Sequence, residues 1–439
     1  MKKIVKILLV LVTWGPWVIP QGVGAEQPKV YLDIYSPAIR RFPIALPEFK
    51  DMGADRNVSQ MAKGVPEVLG NDLELTGLFR ILDPILFLED PKAGITKEET
   101  DFSAWMAIGA EALVKGGIYL KGDELKIEFR LFDVFQQRQI TGVRYNGSPQ
   151  EWRRMAHKFA NEIMYRLTGE EGAFDTMISF VGDVGGAKEI FVMDYDGYNL
   201  KRLTRTGSIN LSPSWSPEGD KLLFTSYMSG NPDLYLLNLR GGDMTRLAGF
   251  AGLNIGGRWS PKGDKITLTL TKDGNPDIYT MKPDGSGLKR LTNHWGIDVS
   301  SVFSPDGKQI AFVSDRSGSP QVYIMNADGS NVRRLTFEGN YNTTPVWSPR
   351  GDKVAFTGGG DGGFSIFLIN PDGTGLVRLT DGSADDRYPS FSPDGRFIVY
   401  SSRRGGKSRL YIVNVNGSYK KRIEVPLDAS HPSWSPRLK

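Results

Sequence analysis

The sequence predicts an α/β N-terminal domain followed by an all-β six-bladed β-propeller, because three columns of residues repeat in register over its C-terminal part. Their spacing is 44 residues, except for the last interval of the first column, which is 43. The first column is the aromatic residue of a W/F-S-P triplet: Trp215, Trp259, Phe303, Trp347, Phe391 and Trp434. The second follows an arginine: Leu203, Leu247, Leu291, Leu335, Leu379 and Ile423. The third begins an aliphatic-aromatic pair: Ile190, Leu234, Ile278, Val322, Ile366 and Leu410. A period of about 40 to 50 residues is typical of propeller blades.

Each copy predicts four short strands. In the copy that starts at Pro345, the strands are 345–348, 353–357, 365–369 and 376–380, separated by turns rich in Pro, Gly and Asp. The propeller segment enters with a three-strand set over 178–204 and ends with one strand around Trp434. This predicts that the last strand completes the first blade, which removes the open sheet edges of the ring.

The first 25 residues resemble a secretory signal peptide. Lys2, Lys3 and Lys6 are basic, residues 7–12 are apolar, and Val23-Gly24-Ala25 provides small residues for cleavage. The predicted domains are therefore a cleaved signal over 1–25, an α/β domain over 26–168, a linker over 169–177 and the propeller over 178–439.

Strands and helices alternate in the α/β domain. The patterns predict strands over 30–34, 44–47, 79–82, 113–120 and 125–131. A helix is predicted from Asn57 to Leu69, weakened by Gly64 and Pro66, and a second helix is capped by Asp101. The last helix opens with the capping box Ser148-Pro149-Gln150-Glu151 and ends at Gly169.

Charge and composition exclude several classes of function. Without the signal, 51 basic and 50 acidic residues remain, and the two signs alternate in every blade, which argues against a nucleic-acid partner. Cysteine is absent, so no disulfide framework is expected. The three histidines, His157, His294 and His431, are far apart in the chain, and no metal, cofactor or small-molecule substrate is predicted.

Carboxylates give the best enzymatic alternative, a glycosidase-like propeller that uses Asp385 and Asp386. However, Asp386 belongs to a column five residues before each W/F: Asn210, Asn254, Asp298, Asn342 and Asp386, with Ala429 in the last copy. Two interpretations stay open for this column. The residues either start strands through Asx turns or form a ring at the mouth of the central channel, where they would also be an available ligand set if an ion were bound there.

The two ends of the ring differ in loop type. We call the end that carries the S-P-x-G and D-G turns the turn face. The opposite end, the variable face, carries the second-to-third loops and the connections between blades, such as 293–296, 337–341 and 381–387. Varied loops on a repeated scaffold are where binding tends to occur, and Trp295 and Tyr341 are the expected aromatic anchors.

These segments together resemble the TolB family, periplasmic proteins of the Tol-Pal envelope system. The resemblance rests on the linker Leu167-Thr168-Gly169-Glu170-Glu171-Gly172-Ala173-Phe174-Asp175-Thr176, on Leu131-Phe132-Asp133-Val134, on Arg154-Met155-Ala156-His157 and on the six blades. It implies a non-enzymatic, monomeric periplasmic protein that links the lipoprotein Pal and the inner-membrane protein TolA. Such a protein maintains outer-membrane integrity and supports envelope constriction during division. The Pal-binding face predicted on this basis contains Asn254, Asp298, Ser300, Asn342, Thr344, Asp386, Trp295 and Tyr341.

The resemblance also implies that TolA contacts the first residues of the mature chain. The segment comprises Glu26, Lys29, Val30, Tyr31, Leu32, Asp33 and Ile34. Val30, Leu32 and Ile34 form an apolar stripe that could pair with its own domain as an edge strand or add to a partner's sheet. The two uses exclude each other, because one set of backbone donors and acceptors cannot serve both.

Overall fold

The computed structural model describes residues 40–55, 58–90, 92–360 and 363–438. The predicted signal peptide and the predicted strand over 30–34 lie outside these residues. Within them, an α/β domain precedes six four-stranded sheets, which confirms the predicted fold class.

The N-terminal domain is a six-stranded mixed sheet with helices. Its strands are β1 (Phe42–Ala45), β2 (Lys50–Asp51), β3 (Phe79–Ile81), β4 (Ala112–Lys121), β5 (Glu124–Asp133) and β6 (Arg138–Gly147). Its helices are α1 (Ser59–Leu75), α2 (Phe102–Ala107) and α3 (Trp152–Thr168), with 3-10 turns at Pro84–Leu86 and Pro149–Glu151. The strand order is β3-β1-β4-β5-β6, with β2 beside β4. Strands β1, β2 and β3 run parallel to their neighbours, whereas β4, β5 and β6 form an antiparallel meander.

Helix α1 continues six residues beyond the predicted end, in spite of Pro66. Proline has no N–H, so the carbonyl four residues earlier loses its helical partner. That carbonyl belongs to Ala62, and the backbone N–H of Phe49 donates to it at 3.0 Å. The glycine expected to weaken the helix also has a packing role, because a Cβ at Gly64 would lie 2.7 Å from the ring of Trp152. Tertiary contacts therefore stabilise a helix that local propensity disfavours.

The helix caps follow the predictions. The Asp101 carboxylate accepts the backbone N–H groups of Ser103 and Ala104 at the start of α2. The capping box of Ser148 and Glu151 is present, although it opens a 3-10 turn that leads into α3. Gly169 ends α3 with a φ of 75°. In the part of the chain that the structure describes, no helix is both long and apolar enough to cross a membrane.

Each blade is an antiparallel sheet, and in five of the six blades the strands follow chain order from the axis outwards. The first two complete blades are β10 (Asn210–Trp215), β11 (Lys221–Ser226), β12 (Asp233–Asn238), β13 (Met244–Ala248), and β14 (Asn254–Trp259), β15 (Ile266–Leu270), β16 (Asp277–Met281), β17 (Lys289–Arg290). The next two are β18 (Asp298–Phe303), β19 (Gln309–Ser314), β20 (Gln321–Asn326), β21 (Arg333–Arg334), and β22 (Tyr341–Trp347), β23 (Val354–Gly360), β24 (Gly363–Ile369), β25 (Val377–Arg378). The fifth is β26 (Asp385–Phe391), β27 (Phe397–Arg404), β28 (Lys407–Asn414) and β29 (Lys420–Ile423).

The sixth blade joins the two ends of the propeller segment, as predicted. It consists of β7 (Met177–Val184), β8 (Ala187–Asp194), β9 (Lys201–Arg202) and the last strand β30 (Ala429–Trp434), which pairs antiparallel with β7. The Trp434 indole donates to Thr176 Oγ1 at 2.7 Å, and Trp215 of the next blade donates to the Ser433 carbonyl at 3.0 Å. The closing strand is therefore bonded to both of its neighbours.

The N-terminal domain packs on the turn face of the propeller. Glu170, just after α3, accepts from Arg350 and Arg396, each at 2.6 Å; Arg350 lies within one S-P-x-G turn and Arg396 directly follows another. Asp72 of α1 accepts from the hydroxyl of Tyr195, which adjoins the turn between β8 and β9. These contacts all lie at one end of the ring, opposite the variable face.

Candidate protein-binding face

The variable face carries most of the large apolar side chains that the propeller exposes. By strand topology, its loops and the adjoining strand ends contain the exposed residues Ile209, Tyr227, Met228, Phe250, Trp295, Ile297, Phe337 and Tyr341. Trp295 is 73% exposed and Phe337 is 72% exposed. Several exposed apolar side chains on one face are typical of a protein-protein interface.

The loop that carries Trp295 is held in one conformation. The side-chain amide of Asn275 donates to the carbonyls of His294 and Gly296, at 2.8 and 2.6 Å. The N–H of Ile297 donates to Asp315 at 2.7 Å. Because these bonds fix the backbone on both sides of Trp295, less ordering entropy would be lost when a partner contacts the indole.

Two further aromatic residues are supported by contacts within the ring. Tyr341 is 43% exposed and packs edge-on against Phe364, with ring centroids 5.6 Å apart. The guanidinium of Arg334 lies 5.0 Å from the ring centre of Phe337, within cation-π range. Both aromatic side chains therefore have a supported side and a side open to solvent.

The amide side chains of the predicted face are buried rather than presented at the channel mouth. The side-chain oxygen of Asn254 accepts the backbone N–H of Phe250 at 2.9 Å, and its amide nitrogen donates to the Phe250 carbonyl at 2.8 Å. Asn342 donates to the Glu338 carbonyl at 2.8 Å. Each side chain thus bonds to the backbone four residues earlier, in the connection from the previous blade. This arrangement is neither the Asx turn nor the exposed ring at the channel mouth that the sequence suggested. Asn254 and Asn342 thus position the loops that carry Phe250 and Phe337.

The acidic members of the column are also enclosed. Asp298 is fully buried and accepts two bonds from Arg316, at 3.0 and 2.9 Å. Asp386 is 2% exposed. Reversing the charge at Asp298 would leave Arg316 facing a like charge, so we expect a loss of stability rather than a selective effect on binding.

Ser300 and Thr344 occupy a backbone irregularity that recurs in every blade. The register between the first two strands shifts at this point in all six sheets. The residue in the left-handed region is Ser212, Gly256, Ser300, Thr344, Tyr388 or His431, with φ between 49° and 70°. Since the bulge repeats with the fold, its cause is the geometry of the inner strand.

The carboxylates proposed for a glycosidase are already engaged or enclosed. Asp385 pairs with Arg387 at 2.7 Å, and Asp386 is buried beside it. Glycoside hydrolysis needs two carboxyl groups that face each other across an open sugar site. Within the described ranges, no group of three or more His, Asp or Glu side chains could hold a metal ion.

A groove of about 880 Å³ lies in the N-terminal domain. Phe87, Trp105 and residues of α1 line it, and its one buried lysine, Lys115, pairs with Glu89 at 2.8 Å. Burial lowers the pKa of Lys115, which Glu89 partly offsets. The two charges satisfy each other, so this pair is poorly placed to activate a substrate.

Sequence reasoning missed some of the exposed apolar residues. Phe337 was noted only as part of a variable loop, and Phe250, Ile297, Tyr227 and Met228 were not selected. A signal for them does exist in the sequence: each is a large apolar residue in a connection between strands. Such connections usually lie on the surface, so an apolar residue there is expected to be exposed.

The fold and this face define a two-domain β-propeller protein with an exposed apolar loop surface. The family model described as the TolB beta propeller domain matches residues 164–438, and the one described as the TolB amino-terminal domain matches residues 30–140. The chain therefore belongs to the TolB family.

Known relatives agree with this assignment. The chain is 40% identical over 198 residues to "Tol-Pal system protein TolB" of Desulfosudis oleivorans, covering 45% of each chain. It is 44% identical over 164 residues to the protein of the same name from Syntrophotalea carbinolica, covering 37% of this chain and 38% of the relative. The matched region thus spans less than half the length of these curated relatives. The crystal structure of TolB from Acinetobacter baumannii superposes with a TM-score of 0.79 at 28% identity, over 93% of this chain and 100% of that one.

Proposed function

We propose that this chain is a non-enzymatic binding protein of the Tol-Pal system in the periplasm. It engages a Pal-like peptidoglycan-associated lipoprotein through the variable face and a TolA-like inner-membrane protein through residues 26–34. Linking the two maintains outer-membrane integrity and supports envelope constriction during division. The observation that carries the proposal is the set of exposed aromatic residues on the variable face, opposite the N-terminal domain.

Aromatic anchors on this face would supply most of the affinity for Pal. Trp295 and Phe337 bury little area in the free protein, so a partner that covers them gains that apolar contact in full. The buried Asn and Asp column contributes indirectly, since it fixes the connections between blades. In the proposed Pal-binding face, the exposed aromatic residues therefore contact Pal, and the buried Asn and Asp residues hold the loops that carry them.

Replacing Trp295 or Phe337 by alanine is expected to weaken Pal binding at least tenfold without lowering the melting temperature. Each substitution removes an anchor worth about 2 kcal/mol or more at the centre of an interface, and about 1.4 kcal/mol is already tenfold. The measurement is titration calorimetry with the purified periplasmic domain of the Pal-like lipoprotein.

Val377→Ala is the matched control for these variants, because Val377 is an exposed apolar residue on an outer strand. It should bind Pal like the unmodified protein. Unchanged Pal affinity in both aromatic variants would contradict the proposed face, and turnover of peptidoglycan fragments by the purified protein would favour the glycosidase alternative.

Removing residues Glu26 to Ile34 is expected to abolish TolA binding while the propeller stays folded and competent for Pal. The apolar stripe of Val30, Leu32 and Ile34 would otherwise add as a strand to a TolA sheet. Affinity for the TolA-like domain and for Pal, measured on the same shortened protein, checks both statements. If TolA binds the shortened chain with unchanged affinity, the segment is a structural edge strand.

Pal and TolA binding would then be coupled through the state of this segment. Whatever factor Pal binding imposes on TolA affinity, TolA binding must impose on Pal affinity. Measuring each affinity with the other partner at saturation tests the coupling directly.

A further inference from the structure

The central channel ends in a cavity on the turn face that all six innermost strands line. Its volume is about 280 Å³. Each blade contributes the residue just before its W/F, namely Ser214, Arg258, Val302, Val346, Ser390 and Ser433. We call this space the channel cavity.

Arg258 is the one charged residue among these six. Its guanidinium donates to the Pro213 carbonyl at 3.1 Å, and it pairs with no carboxylate within the described residues. Burial lowers the pKa of Arg258 to about 10, so the group remains a cation at neutral pH. Arg316, by contrast, donates from Nη2 to both carboxylate oxygens of Asp298 in the same propeller. Arg258 is only partly buried, but a cation that lines a cavity without a counter-charge still carries a desolvation cost that a bound anion would offset.

Among the described residues of the six inner strands, the one partly exposed acid is Asp385, which pairs with Arg387. In every inner strand the two residues after the Asn/Asp column stay partly exposed while the column itself is buried. These exposed positions are Leu211, Ser212, Ile255, Gly256, Val299, Ser300, Thr343, Thr344, Arg387, Tyr388, Ser430 and His431. The basic residues among them are Arg387, which pairs with Asp385, and His431.

His431 adds a neutral polar group to this wall. Burial and the nearby charges of Arg258 and Lys188 lower the pKa of His431 to about 4, so it is uncharged at neutral pH. Its ring stacks on Tyr388, with centroids 3.7 Å apart. The carboxylates of the column, Asp298 and Asp386, are themselves buried in the blades.

We propose that the channel cavity binds a small inorganic oxyanion such as phosphate, with Arg258 as its charged ligand. A guanidinium presents donors in a plane that matches two oxyanion oxygens. Ser214, Ser390 and Ser433 line the same cavity, and in this proposal their hydroxyls supply the neutral donors. Ser390 Oγ already accepts the N–H of Trp434 at 3.0 Å, which leaves its hydroxyl proton to donate.

The test compares phosphate binding to the unmodified protein and to Arg258→Met at constant ionic strength. Titration calorimetry should give saturable one-to-one binding to the unmodified protein and at least a tenfold weaker affinity for Arg258→Met. Arg240→Met, the same substitution at an exposed arginine of a blade turn, should bind phosphate normally. Equal phosphate affinity in Arg258→Met and the unmodified protein would overturn the proposal.

A second measurement does not depend on the variant. Crystals of the unmodified protein soaked in selenate should show an anomalous peak within hydrogen-bond distance of the Arg258 guanidinium. A fully selenate-exchanged crystal with an empty channel cavity would also overturn the proposal.

Discussion

A chain that ends at Asp428 is expected to lose most of its folding stability. The deletion removes β30, and with it the ladder to β7 and the indole bond from Trp434 to Thr176. It also removes the Ser433 carbonyl, which accepts the indole N–H of Trp215. Trp434 is 6% exposed, and loss of a buried tryptophan side chain alone costs about 3–5 kcal/mol. Since whole domains are stable by only about 5–15 kcal/mol, the opened ring should melt far earlier or aggregate through its free edges.

Thermal unfolding should be compared between the truncated protein, Trp434→Ala and Trp295→Ala. The comparison distinguishes the effect of opening the ring from the effect of losing any tryptophan side chain. Trp434→Ala should lower the melting temperature strongly, and Trp295→Ala should leave it unchanged because Trp295 is exposed. A truncated protein that melts like the full chain would show that the terminal strand is dispensable for the ring.

The propeller was predictable because its information is repeated. Six copies of the W/F-S-P column average out local exceptions, and the missing strand at one end matched the extra strand at the other. The N-terminal domain offers one copy of each signal. Strand β6, with the sequence RQITGVRYNG, was missed because its partly exposed residues blur the two-residue alternation. The continuity of α1 depends on Phe49 satisfying the carbonyl that Pro66 leaves free, a contact between distant parts of the chain.

The candidate face was predictable in part for the same reason. Loop variability located the face, since the turns on the opposite end repeat almost unchanged. The roles of individual residues were not readable, because an Asn or Asp column before each strand has the same appearance whether it is exposed or buried. Only the geometry shows Asn254 and Asn342 reaching back to hold the preceding connections. The packing of the N-terminal domain on the turn face also has no local sequence signal.

The contact between the two domains contains a buried charge cluster centred on His157. Its Nδ1 lies 2.7 Å from Asp72 Oδ2, and its Nε2 lies 3.4 Å from Asp196 Oδ2. Arg153 pairs with Asp196, and the Tyr195 hydroxyl donates to Asp72. Burial alone would lower the pKa of His157, but the two carboxylates raise it to about 10. Burial likewise opposes ionisation of Asp196, yet His157 and Arg153 lower its pKa to about 2.

Domain stability is therefore expected to fall on the alkaline side of pH 6.5. A folded-state pKa above the unfolded value of His157 means that its contribution is complete below about pH 6.5 and is lost as pH rises through about 10. Asp196 has the opposite sign, because its pKa is lowered, so its contribution is present above about pH 4 and is lost as pH falls through about 2. The pKa of Asp72 is raised because its burial outweighs its partners, so its ionisation costs stability as pH rises from about 4, separately from the alkaline loss at His157.

His157→Gln should lower the free energy of unfolding by on the order of 3–5 kcal/mol near pH 6, because it leaves Asp72 buried beside an uncharged group. The difference from the unmodified protein should shrink steadily between pH 6.5 and 10, as the imidazolium of the unmodified protein loses its proton. Denaturant unfolding at several pH values measures both effects, and His294→Gln, in a loop of the variable face, is the matched control. Parallel stability curves for His157→Gln and the unmodified protein across this range would mean that His157 is neutral in the folded state. The two domains would then be held together by the apolar contacts of Tyr195 and Phe174 and by the pairs that Glu170 makes with Arg350 and Arg396.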